Sequence, residues 1–300
     1  MAVGDGPRGA AAVRTATPDD IPSIRAILAA NGIDDPAGQL RGPDVVGPYV
    51  RHLVARHRAM VSDLPGTGVA AFGAVADVGL AWHLADLFVD PARLGRGIGR
   101  PLLTALYGGR QPRTTFASDD PRALPLYVRA GMAARWATLY LRGGPAAVRL
   151  AAADPRARAL EVVEADPDDL LALELAWAGA DRSADRAYWT TMSGSDPFLV
   201  RDGDGPVAAG YGRDRQIGPA ARALDRLVLR PGAEPVGPVL AAIARCIAQG
   251  ETLDVTVPGP HAALPVLLEL GLRVEDRDVY CAGPTDPVDA ERLLPNGGLL

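Results

Sequence analysis

The residues best suited to chemistry lie in the stretch Leu87-Phe88-Val89-Asp90-Pro91-Ala92-Arg93-Leu94-Gly95-Arg96-Gly97-Ile98-Gly99-Arg100. An apolar extended run ends at a proline, and a glycine-rich loop then leads into a helical pattern carried by Leu102, Leu103 and Leu106. Glycine lets the backbone turn tightly and present several N–H groups, and the helix that follows adds the positive end of its dipole. Such a loop is an anion cradle, and Arg96 and Arg100 suit phosphate oxygens. A plain strand-to-helix turn can use the same residues, because three alternate glycines alone are a weak signal.

The loop resembles the pyrophosphate loop of the GCN5-related N-acetyltransferase family, which reads Gln/Arg-x-x-Gly-x-Gly/Ala after a Leu-x-Val-x-Pro strand. Leu87, Val89 and Pro91 match the strand, and Gly97 and Gly99 match the two small positions. Leu94 stands where the family prefers Gln or Arg, which matters little where main-chain N–H groups hold the phosphates. The resemblance implies acetyl-coenzyme A as co-substrate and direct attack of an amine on its thioester carbonyl. It implies that the pantetheine arm pairs with the main chain of Leu87, Phe88 and Val89, where this strand splays from its neighbour. The pyrophosphate then falls to Leu94, Gly95, Arg96, Gly97, Ile98, Gly99 and Arg100. A strand N–H would hold the developing oxyanion, a donor worth about 3–4 kcal/mol when removed elsewhere.

The same resemblance implies roles for Tyr127 and Asp120, and the residues themselves suggest a proton acceptor. Tyr127, in Ala123-Leu124-Pro125-Leu126-Tyr127-Val128-Arg129-Ala130-Gly131, matches the position that often protonates the departing thiolate; a tyrosine packing its helix onto the sheet is the alternative. Asp120 lies seven residues earlier, where relatives commonly place Asn, and could bond the coenzyme arm or a water. The amine must lose a proton, and Asp86, an acid inside the apolar strand, is the candidate base, directly or through water. The alternative for Asp86 is a solvated carboxylate at the strand mouth. His83, the lesser candidate for the base, falls on the opposite strand face from Asp86 by the period of two, so the two cannot face one site. His52 and His57 sit among Arg51, Arg56 and Arg58 and read as a solvated basic face. Residues 32–58 would shape the acceptor pocket, where Asp34, Asp35 and Asp44 could attract a cationic amine.

The elements that must position these residues occur twice. Ala123-Leu124-Pro125 recurs as Ala263-Leu264-Pro265, Gly131 as Gly271, and Tyr140 as Tyr280, all displaced by 140 residues. Leu87-Phe88-Val89-Asp90-Pro91 maps onto Leu227-Val228-Leu229-Arg230-Pro231 by the same displacement. Pro18-Asp19-Asp20 recurs as Pro167-Asp168-Asp169, displaced by 149. Units of over a hundred residues mean a duplicated domain rather than a solenoid. In the first copy, residues 12–16, 59–63, 68–76, 82–89, 114–118 and 134–142 read as strands. Residues 21–31, 48–58, 99–107 and 123–130 read as helices. Strand–helix alternation mixed with hairpins predicts a mixed sheet.

The second copy reads as damaged in its chemistry, and its phosphate cradle is expected to be poor. Gly95 becomes Pro235 and Gly99 becomes Val239, so an N–H and backbone freedom are removed. Tyr127 becomes Leu267 and Asp86 becomes Arg226, while Tyr140 is kept as Tyr280. A residue lost together with the glycine loop behaves like chemistry, and one kept in both copies behaves like packing. Tyr188 and Trp189 read as an exposed aromatic pair that packs between the copies.

Composition narrows the classes. Of 300 residues, 48% are hydrophobic, so a core can be buried and wholesale disorder is not expected. There is no lysine, which excludes a Walker-type nucleotide loop, lysine Schiff-base chemistry and the usual kinase strand lysine. The net charge of −5, with no concentrated arginine run, gives no nucleic-acid footprint. No apolar run approaches a membrane span, and the first dozen residues lack a secretory h-region, so a soluble cytoplasmic protein is expected. Cys246 and Cys281 offer neither a disulfide framework nor a zinc site, and the four histidines show no metal-ligand spacing, so no metal is expected.

The fold expected is α/β (α+β): two tandem domains like those of the family, each a mostly antiparallel twisted sheet flanked by helices. The first, catalytic, spans residues 10–146; residues 147–159 are a linker; the degenerate second spans 160–283; the tail 284–300 is expected to be disordered or loosely docked. The function expected is acetyl-coenzyme A-dependent acetylation of a small-molecule amine by a cytoplasmic monomer or homodimer, without nucleic-acid or membrane partners. A non-catalytic sensor of coenzyme A or acyl-coenzyme A, and a protein or peptide N-acetyltransferase, are the competing readings.

Overall fold

Gly99 through Tyr107 form a helix whose Leu102, Leu103 and Leu106 are buried on one face, the spacing that the sequence presents. That helix is α3 in the computed structural model, which describes residues 11–33, 46–215, 221–246 and 252–300. The chain divides into two compact units, one of residues 1–76 and 84–110, the other of 77–83 and 111–300.

The first unit contains β1 (Ala12–Thr15), α1 (Ile21–Ala30), α2 (Val46–Arg56), β2 (Arg58–Leu64), β3 (Gly68–Asp77), β4 (Trp82–Val89) and α3 (Gly99–Tyr107), with β3 and β4 each losing one end to the second unit. Its strands run in the order β1-β2-β3-β4, with β1 antiparallel to β2 and β2 to β3. Gly73 of β3 is required by packing: a Cβ there would lie 2.6 Å from Leu106 Cδ1 and 3.0 Å from the Asp86 carbonyl. Its absence lets α3 settle onto the sheet. The helix ends at Gly108, whose φ of +53° is the left-handed cap that glycine supplies.

The second unit holds β5 (Arg113–Ala117), α4 (Ala123–Arg129), β6 (Ala133–Gly143), α5 (Pro145–Ala153), α6 (Pro155–Arg158), β7 (Glu161–Glu164), α7 (Pro167–Ala178) and α8 (Arg186–Thr191). It continues with β8 (Asp196–Asp202), β9 (Gly205–Asp214), β10 (Ala221–Leu229), α9 (Val236–Cys246), β11 (Thr252–Pro258), α10 (Ala263–Glu269), β12 (Arg273–Ala282) and β13 (Leu293–Leu294). The strand order is β5-β12-β6-β11-β10-β9-β8-β7. Among the described residues of this unit, only β10 and β11 pair in parallel, over 221–224 against 252–255. Beyond Leu224 a bulge in β10 breaks the register, and β11 goes on to Pro258 paired with β6 alone.

The repeat is visible in these elements, but its halves do not coincide with the two compact units. β5, α4 and β6 of the first repeat lie in the second unit. There the last strands are exchanged: β6 lies between β12 and β11, and β12 between β5 and β6.

Two expectations are corrected. The segment read as a linker forms α5 and α6, which bury Ala147, Val148, Ala151 and Ala157 with α9 in the main core of this unit. Alanine-rich sequence without a polar face reads as linker, but alanine is also the best helix former. The tail is docked, with Leu293, Leu294, Leu299 and Leu300 all buried. No helix among the described residues is long and apolar enough to cross a membrane.

Candidate functional site

The strand that ends at the glycine loop carries Asp86 half-buried in its middle. Burial pushes this carboxyl up to about 6, against the opposing pull of a hydrogen bond from the Tyr49 side chain. Its Oδ2 is buried without a hydrogen-bond partner. A carboxylate near 6 is poised to take a proton at neutral pH, which a solvated strand-mouth aspartate would do poorly. Tyr49 lies on α2, and no signal local to residue 86 or 49 pairs them.

His83 is sequestered elsewhere. Its Nδ1 lies 3.0 Å from Thr114 Oγ1, its ring packs 5.2 Å from that of Phe116, and burial pushes it down to about 3. It stays neutral at working pH and serves packing. His52 is buried rather than solvated, with its Nε2 3.1 Å from His57 Nε2, which corrects the reading of a basic face. Asp34, Asp35 and Asp44 lie outside the described residues.

The loop beyond β4 is open and exposed, and its ends are fixed by hydrogen bonds. Asp90 accepts a hydrogen bond from Ala92 N at 2.9 Å, and its own N–H is held by Ala70 O, which fixes where the strand ends. Asn31, at the end of α1, donates to Val89 O at 3.2 Å. Gly95 and Gly97 have φ of +76° and +73°, and a Cβ on either would meet nothing within 4 Å. The glycines are therefore needed for backbone conformation, and the space beside them is open. Ile98 is buried and anchors the loop, whereas Leu94, Arg96 and Arg100 are exposed. Leu87, Phe88 and Val89 are half-buried.

Asp120 and Tyr127 belong to the second unit. Asp120 accepts from the Arg122 backbone N at 2.8 Å and from its guanidinium, which holds the carboxyl below its ordinary range. It opens the turn into α4. Tyr127 is buried on α4, and its carbonyl accepts from Met132 N at 3.1 Å. Its counterpart Leu267 is fully buried. The tyrosines common to both copies make framework bonds: Tyr140 donates to Asp278 at 2.7 Å and Tyr280 to Asp286 at 2.9 Å.

In the second copy the Asp86 position holds Arg226, buried and bonded through Nε to Glu174 at 3.0 Å. Gly210 repeats Gly73: a Cβ there would lie 2.8 Å from the Arg226 carbonyl, as one at Gly73 would approach that of Asp86. This pair is displaced by 137 residues rather than 140, so a fixed-displacement comparison misses it. The α9 N-terminus is closed by its own loop, because Glu234 accepts from Val236 N at 3.0 Å and Gly237 N at 2.6 Å. Trp189 is buried against Tyr211, with Arg182 over its ring at 4.9 Å, which corrects its reading as an exposed residue between copies.

No family model matches the sequence, and no curated protein matches it. Solved structures do match by fold. A candidate acetyltransferase of Pyrococcus horikoshii superposes with a TM-score of 0.67 at 14% identity, covering 97% of this chain and 94% of that one. A GCN5-related N-acetyltransferase from Anabaena variabilis gives 0.61 at 14% identity, covering 91% and 72%. A tandem protein of the same family from the clavulanic acid biosynthesis pathway gives 0.56 at 16% identity, covering 92% and 99%.

Proposed function

We propose that this chain, which has the fold of the GCN5-related N-acetyltransferases, is an acetyl-coenzyme A-dependent N-acetyltransferase with one donor groove, in its first copy, and a small-molecule amine as acceptor. The observation that carries the reading is the contrast between the copies. The first keeps an open loop with two left-handed glycines before α3, downstream of a carboxyl raised to about 6; the second has Glu234 and Arg226 at the equivalent positions.

In this reading the N–H groups of residues 95–100 and the α3 N-terminus hold the donor's pyrophosphate, with Arg96 and Arg100 adding charge. The main chain of Leu87, Phe88 and Val89 pairs with its pantetheine arm. The amine nitrogen attacks the thioester carbonyl, a C–N bond forms, the C–S bond breaks, and the nitrogen's proton passes to Asp86. Tyr127 is assigned the proton for the leaving thiolate on the family resemblance, and Asp120 a bond to the arm on the same ground. General acid or base help of this kind contributes about 10²–10⁴-fold.

Titration calorimetry of the chain with acetyl-coenzyme A, beside the double variant Gly97→Val/Gly99→Val, tests the reading. One site per chain, lost in the variant, is the expected result and justifies an amine screen. Absence of binding overturns it, and two sites per chain overturn the assignment to the first copy alone.

A further inference from the structure

The strand of the second copy that repeats β4 carries an added partner, β13. β10 repeats β4, and it parts from β11 after Leu224 and Val255. Into that parting runs the closing segment of the chain. Leu293 and Leu294 pair antiparallel with Val228 and Leu227, and the short strand touches both β10 and β11. Leu229 N donates to Arg292 O at 2.9 Å, while the Arg292 guanidinium donates to Trp177 O at 2.7 Å and to Leu229 O. From there the segment turns on Asn296, whose side-chain oxygen accepts from Gly298 N and Leu299 N at 2.8 Å each. Asn296, Gly297 and Gly298 reach the point where the strands part, lining a cavity of about 370 Å³ with Leu224, Asp225 and Val255. Gly297 lies close to Tyr140 there: a Cβ on it would be 3.2 Å from the ring.

The residues paired by this segment, Leu227, Val228 and Leu229, are the repeats of Leu87, Phe88 and Val89. At the other end of the same groove Glu234 spans the first N–H groups of α9, and Pro235 and Pro238 contribute none. Glu234 stands 140 residues after Leu94, within the phosphate loop of the first copy. A carboxylate thus sits where the loop would offer N–H groups to an anion, and an extended peptide sits where the strand would offer its main chain to an arm.

We propose that the second copy is a strand-addition groove filled by the chain itself, with residues 292–300 in the place of the donor's extended arm and Glu234 in the place of its anion. The inference rests on the first copy's groove being a donor groove, because the equivalence is drawn through the repeat. Occupation by main-chain pairing plus buried leucines is the general mode by which an extended segment joins an open strand edge. It makes the second copy a folded partner for the tail rather than a second coenzyme site.

Hydrogen exchange on the full chain tests this without reference to activity. Amides of 290–300 and 225–230 are expected to exchange about 100-fold or more slowly than in a free peptide, as interior strands do. Saturating coenzyme A should leave both stretches unchanged. In Leu294→Asp both should lose protection together while 98–107 keeps its own. A synthetic peptide of residues 288–300 should restore 225–230. If Leu294→Asp does not fold, Arg292→Ala reads the same two stretches with a smaller common loss. Free-peptide exchange of the tail in the unmodified chain, or its deprotection by coenzyme A, overturns the proposal. Absence of any coenzyme response at 84–100, with the tail still protected, counts against the acetyltransferase reading and leaves the filled groove standing.

Discussion

The Tyr49 side chain hydrogen-bonds to the carboxyl of Asp86, whose Oδ2 is left buried and unbonded. The hydroxyl favours the charged form, yet burial outweighs it and the carboxyl rises to about 6. Asp86→Asn should lower kcat/KM by about 10²–10⁴-fold, and the unmodified chain's rate should rise through a limb near pH 6 that the variant lacks. A pH–rate profile with a fixed amine checks both.

The same shift has a consequence for stability. A carboxyl raised above its unfolded value binds more protons when folded, so its contribution is full below about 4 and is lost as pH rises to about 6. At pH 7 the ionised, half-buried group is a net cost of up to about 2–3 kcal/mol. Asp86→Asn should therefore raise the melting temperature at pH 7 and leave it nearly unchanged at pH 4. Thermal melts at the two pH values suffice.

His83 runs the other way. Its folded value near 3 lies below the unfolded one, so stability is lost as pH falls from about 6.5 toward 3. His83→Gln should flatten that acid limb and leave the pH–rate profile untouched. Urea midpoints from pH 7 to 4, set beside the rate profile, separate the two effects.

The loop glycines are conformational rather than steric. A left-handed β-branched residue costs about 1–2 kcal/mol or more, whereas asparagine is tolerated there. Gly97→Val should weaken acetyl-coenzyme A binding by about tenfold or more, and Gly97→Asn by much less, although neither side chain meets a neighbour. Calorimetric dissociation constants rank them.

The Glu174–Arg226 pair is wholly buried, and Glu174→Ala leaves a guanidinium uncompensated at a cost of about 3–5 kcal/mol. The double variant Glu174→Leu/Arg226→Met should recover most of that loss. Denaturant unfolding of the three proteins measures it.

Local signals made much of this legible. β2, β3 and β4, α3 and α4 fall within a residue or two of their expected bounds, because turns such as Leu64-Pro65-Gly66-Thr67 and caps such as Gly108 and Gly131 punctuate the chain. Asp86 was identifiable as an acid inside an apolar strand. What sequence hid depends on distant partners: Tyr49 against Asp86, His52 against His57, and Trp189 under Arg182. The tail was hidden for a similar reason. Two leucine pairs around Pro295-Asn296-Gly297-Gly298 read as loop until β10 supplies an edge.

The exchange of β6 and β12 ties synthesis to geometry. β5 ends at Ala117, but its neighbour β12 begins only at Arg273. At a ribosomal pace of about 5–20 residues per second, the edge of β5 that β12 will occupy waits on the order of ten to thirty seconds for its partner. Over that interval the nascent first repeat is an incomplete sheet with a bare margin. Neither half of the gene, expressed alone, encodes the strand that finishes its own product.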